Sequence, residues 1–224
     1  MAGNLERVEE QIQAACAAAG RSRKDIKLVA VTKTFGDLHI QAGLRAGLRR
    51  FGENRVQEGV AKIRRLDEPA RWHLIGRLQR NKARDAARYF DLVESVDSLR
   101  LASAIDRRAE AAGFPILVQV KLSGVDSQGG ADARELPELL GAITSETRLQ
   151  VRGLMTIAPQ TEHEPTLRST FARLRELRDG LASQFPDAPL DELSMGMTSD
   201  YSQAILEGST IVRIGRAIFG SRPQ

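Results

Sequence analysis

Eight short runs rich in Val, Ile and Leu alternate with amphipathic stretches along the whole chain, and this alternation limits the fold more than any other feature. The apolar runs fall near 27–33, 49–53, 71–76, 91–96, 115–122, 151–157, 191–196 and 210–215. Helical spacing marks 37–47, 55–66, 80–88, 98–112, 132–144, 163–183 and 200–207. Strands separated by helices pair in parallel, because each helix returns the chain to the same end of the sheet. Eight such units in 224 residues predict an α/β fold closed as a (β/α)8 TIM barrel, a single domain over residues 1–224. A doubly wound open sheet is the alternative, and eight consecutive units favour closure. Only Arg216–Gln224 follow the last strand, and an extra amphipathic helix from about Asn4 to Ala19, ended by Gly20, precedes the first. That helix is expected to cover the barrel or fill out the helical ring.

The composition, 42% hydrophobic and 28% charged, is that of an ordinary globular protein with a sizeable core. Net charge is +4, but residues 45–88 carry 13 Arg/Lys against 5 Asp/Glu. Such a stretch could face phosphate or nucleic acid. Its only aromatics are Phe51, Trp72 and the adjoining Tyr89, too few for a stacking platform, so a solvated basic face is the reading and nucleic-acid binding is not expected. The single cysteine, Cys16, sits in an alanine-rich helical stretch, which excludes an internal disulfide or a cysteine-based metal cluster and suits a small buried residue. No apolar run is long enough for a bilayer, nor is there a signal-peptide core, so a cytoplasmic protein without membrane contact is expected.

The first strand ends in Val29-Ala-Val-Thr-Lys33-Thr34. Side chains alternate along a strand, so Val29, Val31 and Lys33 share one face. A lysine in line with buried valines is costly unless neutralised, paired or covalently bound. At the C-terminal end of a parallel strand it stands where barrels place their chemistry, and desolvation there would free its amine to attack a carbonyl. Taken alone the segment also fits a lysine snorkelling out of the strand. The other strand ends favour the reactive amine. Strand two runs into Phe51-Gly-Glu-Asn54, strand three into Trp72-His73-Leu-Ile-Gly76, strand six into Gly153-Leu-Met155-Thr156, strand seven into Ser194-Met-Gly196-Met-Thr198-Ser199-Asp200, and strand eight into Arg213-Ile-Gly215-Arg216.

If Val212 and Ile214 face the helices, Arg213 points into the barrel, where a guanidinium must find an acceptor, either a structural carboxylate or a ligand. The loops after strands seven and eight combine glycines, hydroxyls and a helix start near Thr198 and Ser199, the usual place for phosphate in a barrel. Asp200 would oppose a phosphate unless it points away. An amine on strand one, an inward arginine and a phosphate cradle describe a ligand with an aldehyde, a basic ring nitrogen and a phosphate. Pyridoxal 5′-phosphate has all three. An arginine at the pyridine nitrogen would keep it unprotonated and weaken the ring as an electron sink.

These segments, with Trp72-His-Leu-Ile-Gly-Arg-Leu-Gln-Arg-Asn-Lys82 and Val212-Arg-Ile-Gly-Arg-Ala-Ile-Phe-Gly220, closely resemble the pyridoxal-phosphate homeostasis family, in order and spacing from about Leu5 to Gly220. The resemblance implies one barrel like the N-terminal domain of alanine racemase. It implies the cofactor on Lys33 as an internal aldimine, Arg213 on the pyridine nitrogen, and Asn54 near the ring. It puts Ser194, Gly215 and the backbone of Arg216 on the phosphate, with Met197 and Thr198 completing the cofactor-binding set; no catalytic residue and no metal belong to it. It further implies a monomer that binds the cofactor and delivers it to apo pyridoxal-phosphate enzymes, without robust catalysis. The chain departs from the family pattern at Arg77, Lys121, Gln128 and Arg216, where His, Asn, a basic residue and Thr or Ser are common.

A racemase or decarboxylase is the competing expectation. Such enzymes carry a second, β-rich domain with an opposing acid or base, which a chain ending at Gln224 is not expected to hold, and Tyr89 and Tyr201 are the only phenols. A Schiff-base aldolase acting on a phosphosugar would leave Arg213 without a ring nitrogen to address.

Overall fold

In the computed structural model, residues 1–66, 68–122 and 129–220 are described, so Gln128 lies outside the described residues. Eight parallel strands form a closed barrel in chain order: β1 (Lys27–Val31), β2 (Arg50–Glu53), β3 (Arg71–Leu74), β4 (Leu92–Val96), β5 (Pro115–Gln119), β6 (Gln150–Met155), β7 (Glu192–Ser194) and β8 (Ile211–Ile214). The α-helices among the described residues are α1 (Ala2–Ala18), α2 (Asp37–Arg45), α3 (Val56–Ile63), α4 (Ala83–Tyr89), α5 (Leu99–Asp106), α6 (Leu136–Glu146), α7 (Glu164–Gln184), α8 (Tyr201–Leu206) and α9 (Arg216–Phe219). None is long and apolar enough to cross a membrane.

Strand alternation divides the core in two. Leu28, Ala30, Leu154, Leu193, Val212 and Ile214 pack outward in the large core shared with the helices. Val29, Leu92, Leu117, Met155 and Ile211 form a separate apolar plug inside the barrel. Burying each such side chain contributes roughly 1.5–3 kcal/mol. Lys27 and Glu192, the first residues of β1 and β7, form an ion pair at the opposite end from the loops that carry the site.

The extra helix α1 buries Leu5, Val8, Ile12, Ala15 and Cys16, a helical stripe, against α8 and α9. It thereby fills the ring beside the four-residue α9. Burial raises the Cys16 thiol, the opposite of what a nucleophile needs.

Several boundaries differ from the sequence expectation, and three show the physical reason plainly. β1 stops at Val31, because the chain turns at Thr34, whose φ is 70°. α5 ends at Asp106, whose side chain accepts the Arg148 backbone N–H, and the chain then reverses through Gly113 at φ 81° to enter β5. α6 begins at Leu136 because Pro137, with fixed φ and no N–H, fits only the first turn.

Candidate functional site

Lys33 is half-buried in the turn just past β1. Its neighbour Thr34 is β-branched and left-handed, a conformation costing about 1–2 kcal/mol that persists only when the surroundings impose it. A buried charge cluster beneath α3 imposes it. Glu58 Oε1 accepts the Thr34 N–H at 2.7 Å and Lys62 Nζ at 2.7 Å. Lys62 Nζ also donates to the Thr32 carbonyl at 2.7 Å and to Glu53 Oε1 at 2.6 Å, and Thr32 Oγ1 donates to the same Glu53 oxygen at 2.6 Å. The residues on either side of Lys33 are therefore tied to β2 and α3.

Burial pushes the Glu53 carboxyl up, against the hydrogen bonds from Lys62 and Thr32. Burial also works to raise Glu58, but the Lys62 and Thr34 hydrogen bonds outweigh it and hold that carboxyl low. Glu53 Oε2 has no partner among the described residues. The sequence reading missed this cluster. Its signal was Lys62 itself, a cation three residues from Gly59 and six from Val56 on the buried face of α3.

A second network lies inside the barrel. Arg213 does point inward, with Val212 and Ile214 in the outer core. Its Nη1 donates to Ser194 Oγ at 2.6 Å and its Nη2 to the Thr156 carbonyl at 2.8 Å. Ser194 Oγ donates to Glu94 Oε2 at 2.5 Å, and His73 Nδ1 meets Glu94 Oε1 at 2.6 Å. Arg213 Nη1 is 3.9 Å from Glu94 Oε2. Burial alone would raise Glu94, but the bond and charge of His73, the Arg213 charge and the Ser194 hydroxyl hold it low. Burial lowers Arg213, and the Glu94 and Asp200 charges oppose that shift. The acceptor expected for Arg213 is thus a structural carboxylate reached through a serine. Glu94 gave no signal in sequence beyond an acidic residue inside an apolar run.

The rim carries the remaining expected residues. Asn54 follows β2 and is half-buried, with Gly76 pressed against it: a Cβ there would stand 2.2 Å from the Asn54 carbonyl oxygen. Met197 and Thr198 are half-buried between β7 and α8, and the Met197 N–H is taken by Asp200 Oδ1 at 2.5 Å. Gly196, at φ 97°, lets that loop pass the Tyr201 backbone, where a Cβ would lie 2.9 Å from Tyr201 Cα. Gly215 lies against β1, its would-be Cβ 3.0 Å from the Val31 carbonyl oxygen, and Arg216 beside it is exposed. Ser194 stands apart from this rim, fully buried at the end of β7. Arg77 is exposed after β3, and Lys121 is half-buried after β5.

The donor set fits a phosphorylated pyridine aldehyde. The Arg213 Nε–H donates to nothing among the described residues, and a pyridine nitrogen is an acceptor. In the β1–β8 pairing Arg213 stands level with Val29, four residues short of Lys33. Arg213 therefore lies deeper along the barrel than Lys33, which follows the end of β1.

The model of the alanine racemase N-terminal domain matches residues 3–223. The pyridoxal phosphate homeostasis protein of Escherichia coli K12 is 42% identical over 99% of this chain and 97% of its own length. PipY of Synechococcus elongatus PCC7942, solved with pyridoxal phosphate bound, is 38% identical, with a TM-score of 0.84 over 93% of this chain and 100% of that one. An alanine racemase from Clostridium difficile 630 shares the barrel alone: TM-score 0.74 and 15% identity, over 99% of this chain and 58% of the racemase.

Proposed function

The chain belongs to the pyridoxal phosphate homeostasis protein family, built on the alanine racemase N-terminal barrel, and we propose that it carries pyridoxal 5′-phosphate on Lys33 for delivery to apo-enzymes rather than for turnover. The cofactor supplies an aldehyde that condenses reversibly with a primary amine, releasing water. Every other part belongs to the chain. The Glu58–Lys62–Glu53 cluster fixes the turn from which the Lys33 amine projects. Arg213 offers an N–H that Ser194 and Thr156 do not take to the ring nitrogen and, as a permanent cation, discourages a proton there. Gly215, the Arg216 backbone and Thr198 receive the phosphate, with Arg216 adding charge. Asn54 borders the ring. Ser194 acts from behind by holding Arg213.

The observation that carries this reading is the inward Arg213, with N–H groups that Ser194 and Thr156 do not take, on the strand adjoining that of Lys33. Groups suited to moving a proton are engaged elsewhere. Tyr89 Oη accepts from Arg64, Tyr201 Oη donates to Gln11, and His73 is bound to Glu94. A lone buried cysteine suits a reducing compartment, and the reading takes the carrier as a cytoplasmic monomer acting as one barrel unit.

The test is reactivation of an apo pyridoxal-phosphate enzyme by loaded protein while a phosphatase destroys free cofactor. Recovery of activity with loaded wild type, and none with Lys33→Ala, is expected. Recovery no better than with free cofactor contradicts delivery.

A further inference from the structure

Beside Asn54 a groove of about 1070 Å³ opens between the loops after β2, β3 and β4. Arg55, Arg77, Arg80, Lys82 and Arg100 line it, with Asp97 as the one acid. Among the described residues none of the five cations reaches a carboxylate within ion-pairing distance. Arg55 is felt electrostatically by Glu58 without such a contact. Elsewhere some arginines do pair, Arg23 with Glu9, Arg65 with Asp37, Arg71 with Asp91, Arg148 with Asp106, Arg152 with Asp191, and Arg168 and Arg175 with Glu207, while others such as Arg45, Arg84 and Arg107 reach no carboxylate among the described residues. The groove is set apart by convergence: five cations without an ion-pair partner among the described residues line one concavity.

We propose that this groove binds a small polyanion with two or more linked phosphoryl groups. Four guanidinium forks match phosphoryl oxygens bidentately, and a local excess of four positive charges exceeds what one phosphate or a dicarboxylate would neutralise. The side-chain amides of Asn54, Gln57 and Gln79 add donors, and Val56, Leu78 and Leu101 are buried lining residues that give the groove an apolar floor. The volume is that of a small-molecule site. Nothing aromatic lines the groove, so it lacks the stacking platform of a nucleic-acid track. Nucleoside triphosphates and inorganic tripolyphosphate share the required chemistry. The groove shares Asn54 with the proposed cofactor site, but Lys33 and Arg213 do not line it, so cofactor loading and polyanion binding can be read separately.

The experiment is calorimetric titration of full-length protein, already loaded with pyridoxal phosphate, with tripolyphosphate and separately with a nucleoside triphosphate at physiological salt. Saturable binding of either is expected. Arg77→Ser with Arg80→Ser, or Arg100→Ser alone on α5, should weaken it tenfold or more while leaving cofactor loading unchanged. Equal affinity for the two probes assigns recognition to the phosphate chain, and a tighter nucleotide assigns part of it to the apolar floor; both support the site. Absence of saturable binding, unchanged affinity in both variants, or binding only of RNA or an acidic polypeptide overturns the proposal.

Discussion

Arg213 and Ser194, the one on β8 and the other at the end of β7, are joined at 2.6 Å, and the serine passes that contact on to Glu94 at 2.5 Å. A buried cation is thus balanced without meeting its carboxylate head-on, which leaves part of the guanidinium available. Ser194 is better placed to orient Arg213 than to touch a phosphate at the rim.

Arg213→Gln separates the ligand-binding role of this residue from an architectural one. Hydrogen bonds to charged groups contribute about 1.5–3 kcal/mol, so cofactor affinity should fall roughly tenfold or more. Apo-protein stability and affinity per folded molecule are measured together. A large stability loss with unchanged affinity would make Arg213 purely architectural.

Glu94→Gln should destabilise the apo-protein by about 3 kcal/mol, since it leaves a buried cation without its counter-charge. The folded protein holds the Glu94 carboxyl low, so the unfolded chain binds its proton more tightly. Its stabilisation is therefore present above the unfolded value, about 4.3, and is lost as pH falls through the folded one. Urea midpoints measured downward from pH 7 should fall less steeply in Glu94→Gln than in wild type. Parallel curves would mean that Glu94 carries no such linkage.

Glu58→Ala removes the acceptor of the Thr34 N–H and loosens the turn bearing Lys33. Cofactor affinity should drop roughly tenfold, about 1.4 kcal/mol, with the barrel retained. Glu58→Gln keeps an oxygen for that N–H and should recover most of the affinity, as read in the visible absorbance titration. No difference between the two variants would locate the effect in charge rather than in the turn.

The barrel was legible because two periodicities, 2 along strands and 3.6 along helices, repeat without interruption and the eight units fill the length. Lys33, Arg213 and the strand-end glycines could be found because a charge or a breaker in an apolar run is conspicuous. Glu53, Lys62 and Glu94 were not, since apart from the Lys62–Glu58 pair their partners come from other elements, such as Ser194 for Glu94 and Lys62 for Glu53. Single-residue parity shows which way a side chain points but not which group meets it. The shortened α5 was missed for the same reason, because its end is fixed by Arg148 from across the chain.

Racemase and decarboxylase turnover should be negligible across the common amino acids in a chiral assay controlled with Lys33→Ala. The phenols of Tyr89 and Tyr201 are bonded to Arg64, just past α3, and Gln11 on α1, and in the proposed site the cation at Arg213 would disfavour a protonated ring nitrogen. Robust turnover that vanishes in the control would establish an enzyme.

Borohydride reduction of the loaded protein, followed by peptide mapping, tests the central claim most directly. One equivalent of label is expected on Lys33, with Lys33→Ala folded and unlabelled. Label on Lys82 or Lys121 instead, or undiminished labelling of Lys33→Ala, would contradict the assignment of Lys33 as the residue that carries the cofactor.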